Sequence, residues 1–292
     1  MNINGKTAVY GIIGNPIGHT MSPAIHNHLS QSLGIDSVYV PFRSDGNLED
    51  TVKGLYSLGV QGINVTVPYK TEIIKELGGV DAFALAVGAV NTLKYTEKGF
   101  YGYNTDVMGL ERELESEGVS LQGRHVVILG AGGAARAAAF MCILKSPATL
   151  TIVNRTKAKA EDIRTSLLAY AKENNVGVGE KDIRTVELSG INSLPESGYI
   201  AFQCTNVGLY PDVDSCIINE DRFFEKTETG IDLIYKPETT LFMKKVVNAG
   251  GKAYNGLKML VYQAVCAYEI WNGISVPESL AEDVQRLLAG KQ

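Results

Sequence analysis

Two polar segments, Asn64–Lys70 and Asn104–Asp106, stand out against apolar surroundings in the first third of the chain, and both follow β-like runs. A lysine just after a strand can protonate a carbonyl oxygen during hydride delivery, and a nearby carboxylate can hold that lysine in place. Lys70 and Asp106 are therefore candidates for an acid–base pair. Their spacing leaves a second interpretation open, since isolated Lys and Asp residues are usually solvated surface groups or helix caps.

Three further polar residues stand where they could bind a polyol or a carboxylate. Asn91 follows an apolar stretch and could offer its amide to a hydroxyl, but asparagine is equally typical of a turn. Thr20 and Ser22 could bind a carboxylate with two hydroxyls. Ser22 also suits a helix N-cap, because Pro23 suits the first helical position. The pattern therefore leaves ligand binding and local structure open at Asn91 and Ser22.

A glycine-rich segment between a β-like run and an alanine-rich run predicts a dinucleotide site. Gly130–Ala135 fits G-x-G-x-x-G/A, in which the backbone can approach a pyrophosphate at a helix N-terminus. About 20 residues onward, where an NAD enzyme carries an acidic residue, the chain has Asn154 and Arg155. Arg155 can form a fork with a 2′-phosphate, and Lys159 adds charge. This favours NADP over NAD; the alternatives are a glycine turn without ligand and a solvated basic helix start.

No metal site and no disulfide is predicted. His26 and His28 lie two residues apart on a predicted helix and point to different faces, which argues against a shared metal ion. The four cysteines lack C-x-x-C or metal-ligand spacing: Cys142, Cys204, Cys216 and Cys266.

The elements that must position these residues follow from the alternation of short β-rich runs with amphipathic helical stretches, which predicts a parallel α/β architecture. In the first third the predicted strands are Thr7–Ile13, Ser37–Phe42, Gly62–Val65 and Val90–Tyr95. A helix is predicted to begin at Ser22–Pro23, with the serine as its cap.

A second α/β part begins with the strand His125–Leu129, continues through the helix Ala134–Leu144 and reaches the strand Thr149–Val153. Later elements are predicted as strands at Ile200–Gln203 and Gly230–Ile234 and as helices at Thr240–Asn248 and Leu257–Asn272. We expect the domain boundary near Asp106–Gln122, with residues 1–105 completed by 257–292 as one domain and 106–256 as the other.

Length and composition limit the function classes. The 292 residues, 45% hydrophobic and 20% charged, suit two folded domains. A net charge of −5 without a basic run gives no electrostatic reason for binding nucleic acid or an anionic membrane. Because no apolar signal core opens the chain and no apolar stretch reaches about 20 residues, we expect a cytoplasmic protein.

Taken together, these segments resemble the shikimate dehydrogenase family from Gly14 to Gln263. Six segments in the family's order carry the resemblance: Gly14–Pro23, Asn64–Lys70, Gly88–Thr92, Gly102–Asp106, Gly130–Ala134 and Asn154–Thr156. The resemblance implies an N-terminal α/β substrate domain, a Rossmann-type NADP-binding domain and a cleft between them. It also implies reversible reduction of 3-dehydroshikimate to shikimate in aromatic amino acid (chorismate) biosynthesis.

The resemblance also assigns roles, with Lys70 and Asp106 as the catalytic pair. The implied contacts to shikimate or 3-dehydroshikimate are Thr20, Ser22, Thr66, Lys70, Asn91, Asp106, Tyr235 and Gln263. The implied contacts to NADP(H) are Gly130, Ala131, Gly132, Gly133, Ala134, Asn154, Arg155, Thr156, Lys159, Thr205, Leu233 and Gly256. The expected assembly is a monomer or a homodimer.

Several positions depart from the family's commonest pattern. Thr20 stands where serine is usual, Lys258 where glycine is common, and Leu233 where methionine is frequent. Gln203–Cys204 stands where Asn and a small residue are often found. These departures leave open a quinate/shikimate dehydrogenase with broader substrate use and NAD acceptance.

Two other functions remain as alternatives. A non-catalytic NADP-binding sensor would need the glycine turn and Arg155 but not Lys70 with Asp106, and the presence of both argues against it. A methylene-tetrahydrofolate dehydrogenase also uses a lysine in an N-terminal catalytic domain. The polar set of Asn91, Asp106 and Gln263 suits a polyol better than a folate.

Overall fold

The computed structural model describes residues 3–290 and confirms the predicted α/β class. The chain divides into two compact units. Unit 1 runs to Gly109 and resumes at Leu260, and unit 2 is Leu110–Met259. Each unit contains a six-stranded sheet. Among residues 3–290, no helix has both the length and the apolar character that crossing a membrane requires.

Strands and helices alternate along much of the described chain. The strands are β1 (Ala8–Gly14), β2 (Ser37–Arg43), β3 (Gly62–Val65), β4 (Gly79–Val80), β5 (Thr92–Thr96), β6 (Gly99–Tyr103), β7 (His125–Leu129), β8 (Thr149–Asn154), β9 (Ile183–Glu187), β10 (Tyr199–Gln203), β11 (Thr227–Asp232) and β12 (Lys252–Asn255). The helices are α1 (Ser22–Leu33), α2 (Leu48–Ser57), α3 (Ala82–Val87), α4 (Thr105–Ser116), α5 (Gly133–Leu144), α6 (Lys157–Glu173), α7 (Asp221–Glu225), α8 (Leu241–Asn248), α9 (Leu257–Asn272) and α10 (Glu278–Ala289).

The sheet of unit 1 has the order β2-β1-β3-β5-β6-β4 and is mixed. β1 pairs in parallel with β2 and β3, whereas β5 is antiparallel to both β3 and β6. Only two residues join β5 to β6, a length that permits a hairpin but no parallel crossover. The predicted parallel architecture therefore holds for β1–β3 and is wrong for β5, which begins at Thr92 rather than Val90.

Helix α1 begins at Ser22, but the prediction that Ser22 caps it is wrong. Met21 occupies the cap position without a side-chain hydrogen bond, and Ser22 is already helical. The Thr20 hydroxyl oxygen accepts the N–H of Ser22 at 3.3 Å, so a residue two positions earlier satisfies the first free donor. Pro23 lies in the first turn, where its missing N–H is not needed.

The core of unit 1 forms around its central strands. Ile13, Ile63 and Leu93 are fully buried there. The Trp271 ring of α9 stacks on Tyr10 with centroids 5.0 Å apart, and its Nε1–H donates to the Leu93 carbonyl at 2.8 Å. This hydrogen bond and the stacking hold α9 against the sheet.

The sheet of unit 2 is parallel throughout, with the order β12-β11-β10-β7-β8-β9. This is the doubly wound order of a Rossmann fold, and the predicted strand–helix–strand unit is confirmed as β7, α5 and β8. β11 is Thr227–Asp232 rather than Gly230–Ile234. The Asp232 carboxylate accepts the N–H of Ile234 at 3.0 Å, which turns the chain where the prediction continued the strand.

Helices α4 and α9 carry the chain across the boundary of unit 1. Inside that unit their backbones approach closely, because a Cβ placed on Gly109 would lie 2.6 Å from the Gln263 nitrogen. Glycine at this position therefore permits the contact, and α9 presents Gln263 beside the first turns of α4.

Candidate active site

The side chains of Lys70 and Asp106 form an ion pair in unit 1, with 2.6 Å between Nζ and Oδ2. Lys70 lies five residues beyond the end of β3, and Asp106 lies in the first turn of α4. The pair stays accessible, since the two side chains are 32% and 19% exposed. A partly buried, charge-assisted hydrogen bond of this length fixes the ammonium group without closing it off from a ligand.

The amide of Asn91 holds the other oxygen of Asp106. Asn91 Nδ2 donates to Asp106 Oδ1 at 2.8 Å, and Asn91 Oδ1 accepts the backbone N–H of Thr105 at 2.7 Å. A backbone N–H can only donate and a carboxylate can only accept, so these two partners fix which end of the amide faces which way. Each oxygen of Asp106 thus receives one strong donor, and the Lys70 carbonyl accepts the N–H of Val90 at 2.8 Å next to it.

Behind Asn91 lies a buried chain of amides and hydroxyls. The Tyr39 hydroxyl donates to Asn64 Oδ1 at 2.8 Å, and Asn64 Nδ2 donates to the Thr92 hydroxyl at 3.0 Å. The hydroxyls of Thr92 and Thr105 lie 3.0 Å apart. The sequence analysis did not predict this series of hydrogen bonds, although a polar residue within an apolar strand such as β3 was a visible signal.

Thr20, Ser22 and Thr66 also lie in unit 1. The Thr20 hydroxyl donates to the Ser22 hydroxyl at 3.2 Å, so the structure brings that predicted pair together. The Thr66 methyl packs against Gly14, where any Cβ would overlap it. Gly14 therefore lets the loop that carries Thr20 pass close to the segment that leads to Lys70.

Gln263 and Tyr235 are placed differently. Gln263 Nε2 donates to the carbonyl of Leu260 within α9 at 2.8 Å, and no contact described for residues 3–290 joins this amide to Asp106. Tyr235 belongs to unit 2, where burial raises the pKa of its phenol.

The glycine turn of unit 2 leaves open space at the start of α5. Gly132 is the N-cap of α5 without a side-chain cap, and a Cβ on Gly132 or Gly133 would meet no atom within 4 Å. Gly130 has a φ of 115°, and a Cβ there would lie 2.9 Å from the Thr205 methyl. Uncapped N–H groups at a helix N-terminus, with room before them, suit a phosphate. The geometry thus fits the phosphates of a dinucleotide.

Basic side chains follow the end of β8. Asn154 Nδ2 donates to the carbonyl of Thr156 at 2.9 Å and so shapes the turn that carries Arg155. Arg155 and Lys159 are exposed, and within the described chain no hydrogen bond or ion pair engages the Arg155 guanidinium. Its five donors are available to an anion.

The remaining predicted cofactor residues follow β10, β11 and β12. Both the N–H and the hydroxyl of Thr205 donate to Gln203 Oε1 at 2.7 Å. Gly256 lies against the backbone of Leu233, where a Cβ would overlap the carbonyl group. Gln203 was missed as a positioning residue; it is fully buried, and its amide holds the turn after β10.

Asp232, which ends β11, was also missed. Its second oxygen accepts the Thr240 hydroxyl at 2.6 Å. Burial raises the pKa of its carboxyl to about 6, against the effect of the hydrogen bonds from Thr240 and the Ile234 N–H. The carboxylate therefore organises the turn before α8.

Lys258, the cation that departs from the family pattern, pairs with Glu117 just beyond the end of α4. Both residues belong to unit 2. Glu113, one turn earlier on α4, is buried, and neither of its carboxylate oxygens has a hydrogen-bond partner among residues 3–290. Burial, with repulsion from Glu117, raises the pKa of Glu113 to about 8.

Comparison with known proteins places this geometry in a family. Residues 12–93 match the shikimate dehydrogenase substrate binding domain, 112–185 the shikimate / quinate 5-dehydrogenase family and 256–284 the shikimate 5′-dehydrogenase C-terminal domain. The chain is 40% identical over 282 residues to a shikimate dehydrogenase (NADP(+)) of Methanothermobacter thermautotrophicus, with 96% of each protein covered. It is 38% identical to that of Methanocaldococcus jannaschii over 93% of this chain and 94% of the relative.

A solved structure agrees. The shikimate 5-dehydrogenase of Thermus thermophilus, determined in complex with NADP(H) and shikimate, superposes with a TM-score of 0.82 at 28% identity, covering 96% of this chain and 99% of that one. The resemblance carried by the six sequence segments is therefore confirmed over nearly the whole chain. The chain belongs to the shikimate dehydrogenase family.

Proposed function

We propose that the protein catalyses the reversible NADP-dependent reduction of 3-dehydroshikimate to shikimate. The observation that carries the proposal is the Lys70–Asp106 pair, held by Asn91 in a chain that matches shikimate dehydrogenases along its length. Bound NADPH supplies a hydride to the ketone carbon. Lys70 gives a proton to the ketone oxygen, so that the carbonyl becomes a secondary alcohol, and the reverse reaction returns the proton to Lys70.

Asp106 orients the proton donor. Its Oδ2 atom holds the Lys70 ammonium at 2.6 Å, which leaves the other N–H bonds of that group for the substrate oxygen. Its Oδ1 atom is held by Asn91 at 2.8 Å, so the carboxylate cannot rotate freely. Preorganisation of this kind lowers the entropic cost of reaching the reactive geometry.

The same two residues suit a ring hydroxyl. The side-chain oxygen of Asn91, Oδ1, already accepts the backbone N–H of Thr105, so the Asn91 side chain can offer a ligand only its second N–H. Asp106 is an acceptor with free lone pairs. One hydroxyl that receives from Asn91 and donates to Asp106 satisfies both groups, which favours a polyol substrate.

The substrate carboxylate is assigned to the hydroxyls of Thr20 and Ser22. Helix α1 begins at Ser22 and has no acidic residue in its first turn, so its N-terminus attracts an anion. Thr66, Gln263 and Tyr235 complete the proposed substrate contacts.

The NADP site is assigned to unit 2. The turn Gly130–Ala134 would receive the pyrophosphate, and Arg155 with Lys159 would bind the 2′-phosphate. Asn154 and Thr156 shape the basic turn. The remaining proposed cofactor contacts lie in the segments that follow β10, β11 and β12, and they are Thr205, Leu233 and Gly256.

The domain roles follow from these assignments. We assign residues 1–105 with 257–292 to the substrate, together with Asp106 in the first turn of α4, and the rest of 106–256 to NADP. A cytoplasmic location and a monomer or homodimer remain predictions.

The test is the initial rate of NADP⁺ and NAD⁺ reduction with shikimate and with quinate, followed at the nicotinamide absorbance. The proposal requires turnover of shikimate with NADP⁺. Comparable rates with quinate or NAD⁺ would indicate the broader quinate/shikimate activity, and no reduction by a folded, NADPH-binding protein would overturn the proposal.

Lys70→Ala tests the mechanism. We expect kcat to fall by roughly 10²–10⁴, the range for loss of a general acid, with a much smaller change in KM. Lys75→Ala, at an exposed lysine five residues away, is the matched control. Retained nicotinamide fluorescence enhancement on NADPH binding would show that the variant is folded. Activity of Lys70→Ala near that of the control would refute the assigned role.

A further inference from the structure

We infer that Thr92 is a positioning residue for the reaction: its buried hydroxyl sets the Asn91 amide and, through it, the Asp106 carboxylate. The inference rests on the proposed function. Among residues 3–290 the Thr92 hydroxyl bonds to Asn64, Asn91 and Thr105, and it touches neither Lys70 nor Asp106. Any influence of this hydroxyl on the reaction must therefore pass through Asn91, either directly or by way of Thr105 or Asn64, both of which also bond to Asn91.

The directions of the hydrogen bonds can be assigned from groups that have only one role. Asn64 Nδ2 lies 3.2 Å from the carbonyl of Asn91, which can only accept, so this end of the Asn64 amide is the NH₂ group. The same nitrogen then donates to the Thr92 hydroxyl at 3.0 Å. The oxygen at the other end of the Asn64 amide accepts from Tyr39 at 2.8 Å.

A hydroxyl has one hydrogen, so Thr92, already an acceptor, directs its own O–H onward. It has two acceptors in reach, Thr105 Oγ1 at 3.0 Å and Asn91 Oδ1 at 3.1 Å. Thr105 Oγ1 in turn donates to Asn91 Oδ1 at 3.1 Å. By either route each group donates to the next, from Asn64 on β3 to Asn91 and from Asn91 to Asp106. Successive hydrogen bonds of one direction polarise each other, which strengthens the final bond from Asn91 to Asp106.

The position of Thr92 makes this arrangement rigid. Thr92 lies directly opposite Asn64 in the β3–β5 pairing, and both Thr92 and Thr105 are fully buried. A β-branched side chain in a strand has few rotamers, and water cannot replace a hydroxyl that has no exposed surface. When the Thr92 hydroxyl is removed, the backbone N–H of Thr105 still donates to Asn91 Oδ1. The Asn91 amide therefore loses part of its support but keeps one hydrogen bond.

The test compares Thr92→Val, which removes the hydroxyl at nearly constant shape, with Thr92→Ser, which keeps it. We expect Thr92→Val to lower kcat about tenfold, the rate equivalent of one lost hydrogen bond. Thr92→Ser should stay within about threefold of the wild type. Thr96→Val, on the same strand, is the matched control, because the Thr96 hydroxyl serves only the hairpin turn through Gly99 and Lys98 in the described chain. Rates are normalised to the concentration of NADPH-binding sites.

A double-mutant cycle separates positioning from general destabilisation. In an Asn91→Ala background, Thr92→Val should change kcat by less than about twofold, since the group it acts through is gone. A further tenfold loss in that background, or a Thr92→Ser variant as poor as Thr92→Val, would overturn the inference. If Thr92→Val does not fold, Thr92→Ala takes its place in the comparison with Thr92→Ser, because it removes the same hydroxyl. An inactive wild type would overturn the proposed function and this inference with it, whereas unchanged kcat in Thr92→Val would overturn the inference alone.

Discussion

Glu113→Gln should gain stability relative to the wild type as the pH rises. Glu113 lies on α4 with 1% of its surface exposed, and neither carboxylate oxygen has a partner among residues 3–290. Its pKa is raised from 4.5 to about 8, first by burial and then by Glu117, while Lys258 acts in the opposite direction. The side chain is therefore neutral in the folded protein at pH 7 and ionised in the unfolded chain.

The sign of the pH dependence follows from this difference. Between pH 4.5 and about 8 Glu113 is protonated in the folded state and ionised in the unfolded state, so its contribution to the free energy of unfolding falls as pH rises. The slope is about 1.4 kcal/mol per pH unit, and the whole window of about 3.5 pH units corresponds to at most about 5 kcal/mol. Glutamine does not titrate. We therefore expect the difference in the free energy of unfolding, Glu113→Gln minus wild type, to increase across this window. It should level off above pH 8.

Urea denaturation at pH 5, 6, 7 and 8, followed by far-UV circular dichroism, measures this difference. Glutamine buries an amide at a cost that does not depend on pH, so the slope is diagnostic and the offset is not. Groups common to both proteins, such as Asp232 with its pKa of about 6, cancel. Trp271, the single tryptophan, belongs to unit 1, whereas Glu113 belongs to unit 2. Its fluorescence therefore shows whether the two units unfold together.

Glu115→Gln is the matched control on the same helix. Glu115 is 66% exposed and lies 3.6 Å from Lys145, so its loss should change the free energy of unfolding by under about 1 kcal/mol at every pH. A difference between Glu113→Gln and wild type that stays flat from pH 5 to 8 would refute the argument, because it would mean that Glu113 ionises in the folded protein as it does in the unfolded chain.

Two further predictions concern unit 2. Arg155→Gln should raise KM for NADP⁺ at least tenfold and leave KM for NAD⁺ nearly unchanged, because a charge-assisted pair of hydrogen bonds to the 2′-phosphate is lost. Initial rates with both cofactors measure this, and equal effects on the two KM values would contradict it. Gly256→Ala should lower the free energy of unfolding by about 1–3 kcal/mol, because its Cβ would overlap the Leu233 backbone. Gly177→Ala, where a Cβ meets open space, is the control in the same denaturation experiment, and equal stability of the two variants would rule out the overlap.

The parts of the fold that the sequence predicted well depend on local patterns. The strand β7, the glycine turn and α5 follow one another without interruption, and α5 was predicted to within one residue. Glu113 also had a local signal, because it lies three residues after Leu110 and beside Leu114 on the buried stripe of α4. An acidic residue on such a stripe indicates a carboxyl group whose pKa is raised by burial.

The side-chain partners were not predictable in this way. Whether Asn91 is a turn residue or part of a site depends on Thr105 and Asp106, which are 14 and 15 residues away. Likewise the hydroxyl of Thr20, two residues before Ser22, decides that Ser22 is not a cap. Spacing shows which groups exist, but only the folded chain shows which donors they meet.

The hairpin that the sequence analysis missed is what assembles the candidate site. Lys70 follows the end of β3, Asn91 precedes the start of β5, and Asp106 follows the end of β6. Because β5 is antiparallel to both neighbours, its first residue, Thr92, pairs with Asn64 near the end of β3 and with Tyr103 at the end of β6. In a parallel arrangement the start of β5 would lie at the opposite edge of the sheet, about 15 Å away for a strand of this length. Asn91 could not then hold Asp106, so the reversal of one strand is a physical requirement of the Lys70–Asp106–Asn91 arrangement.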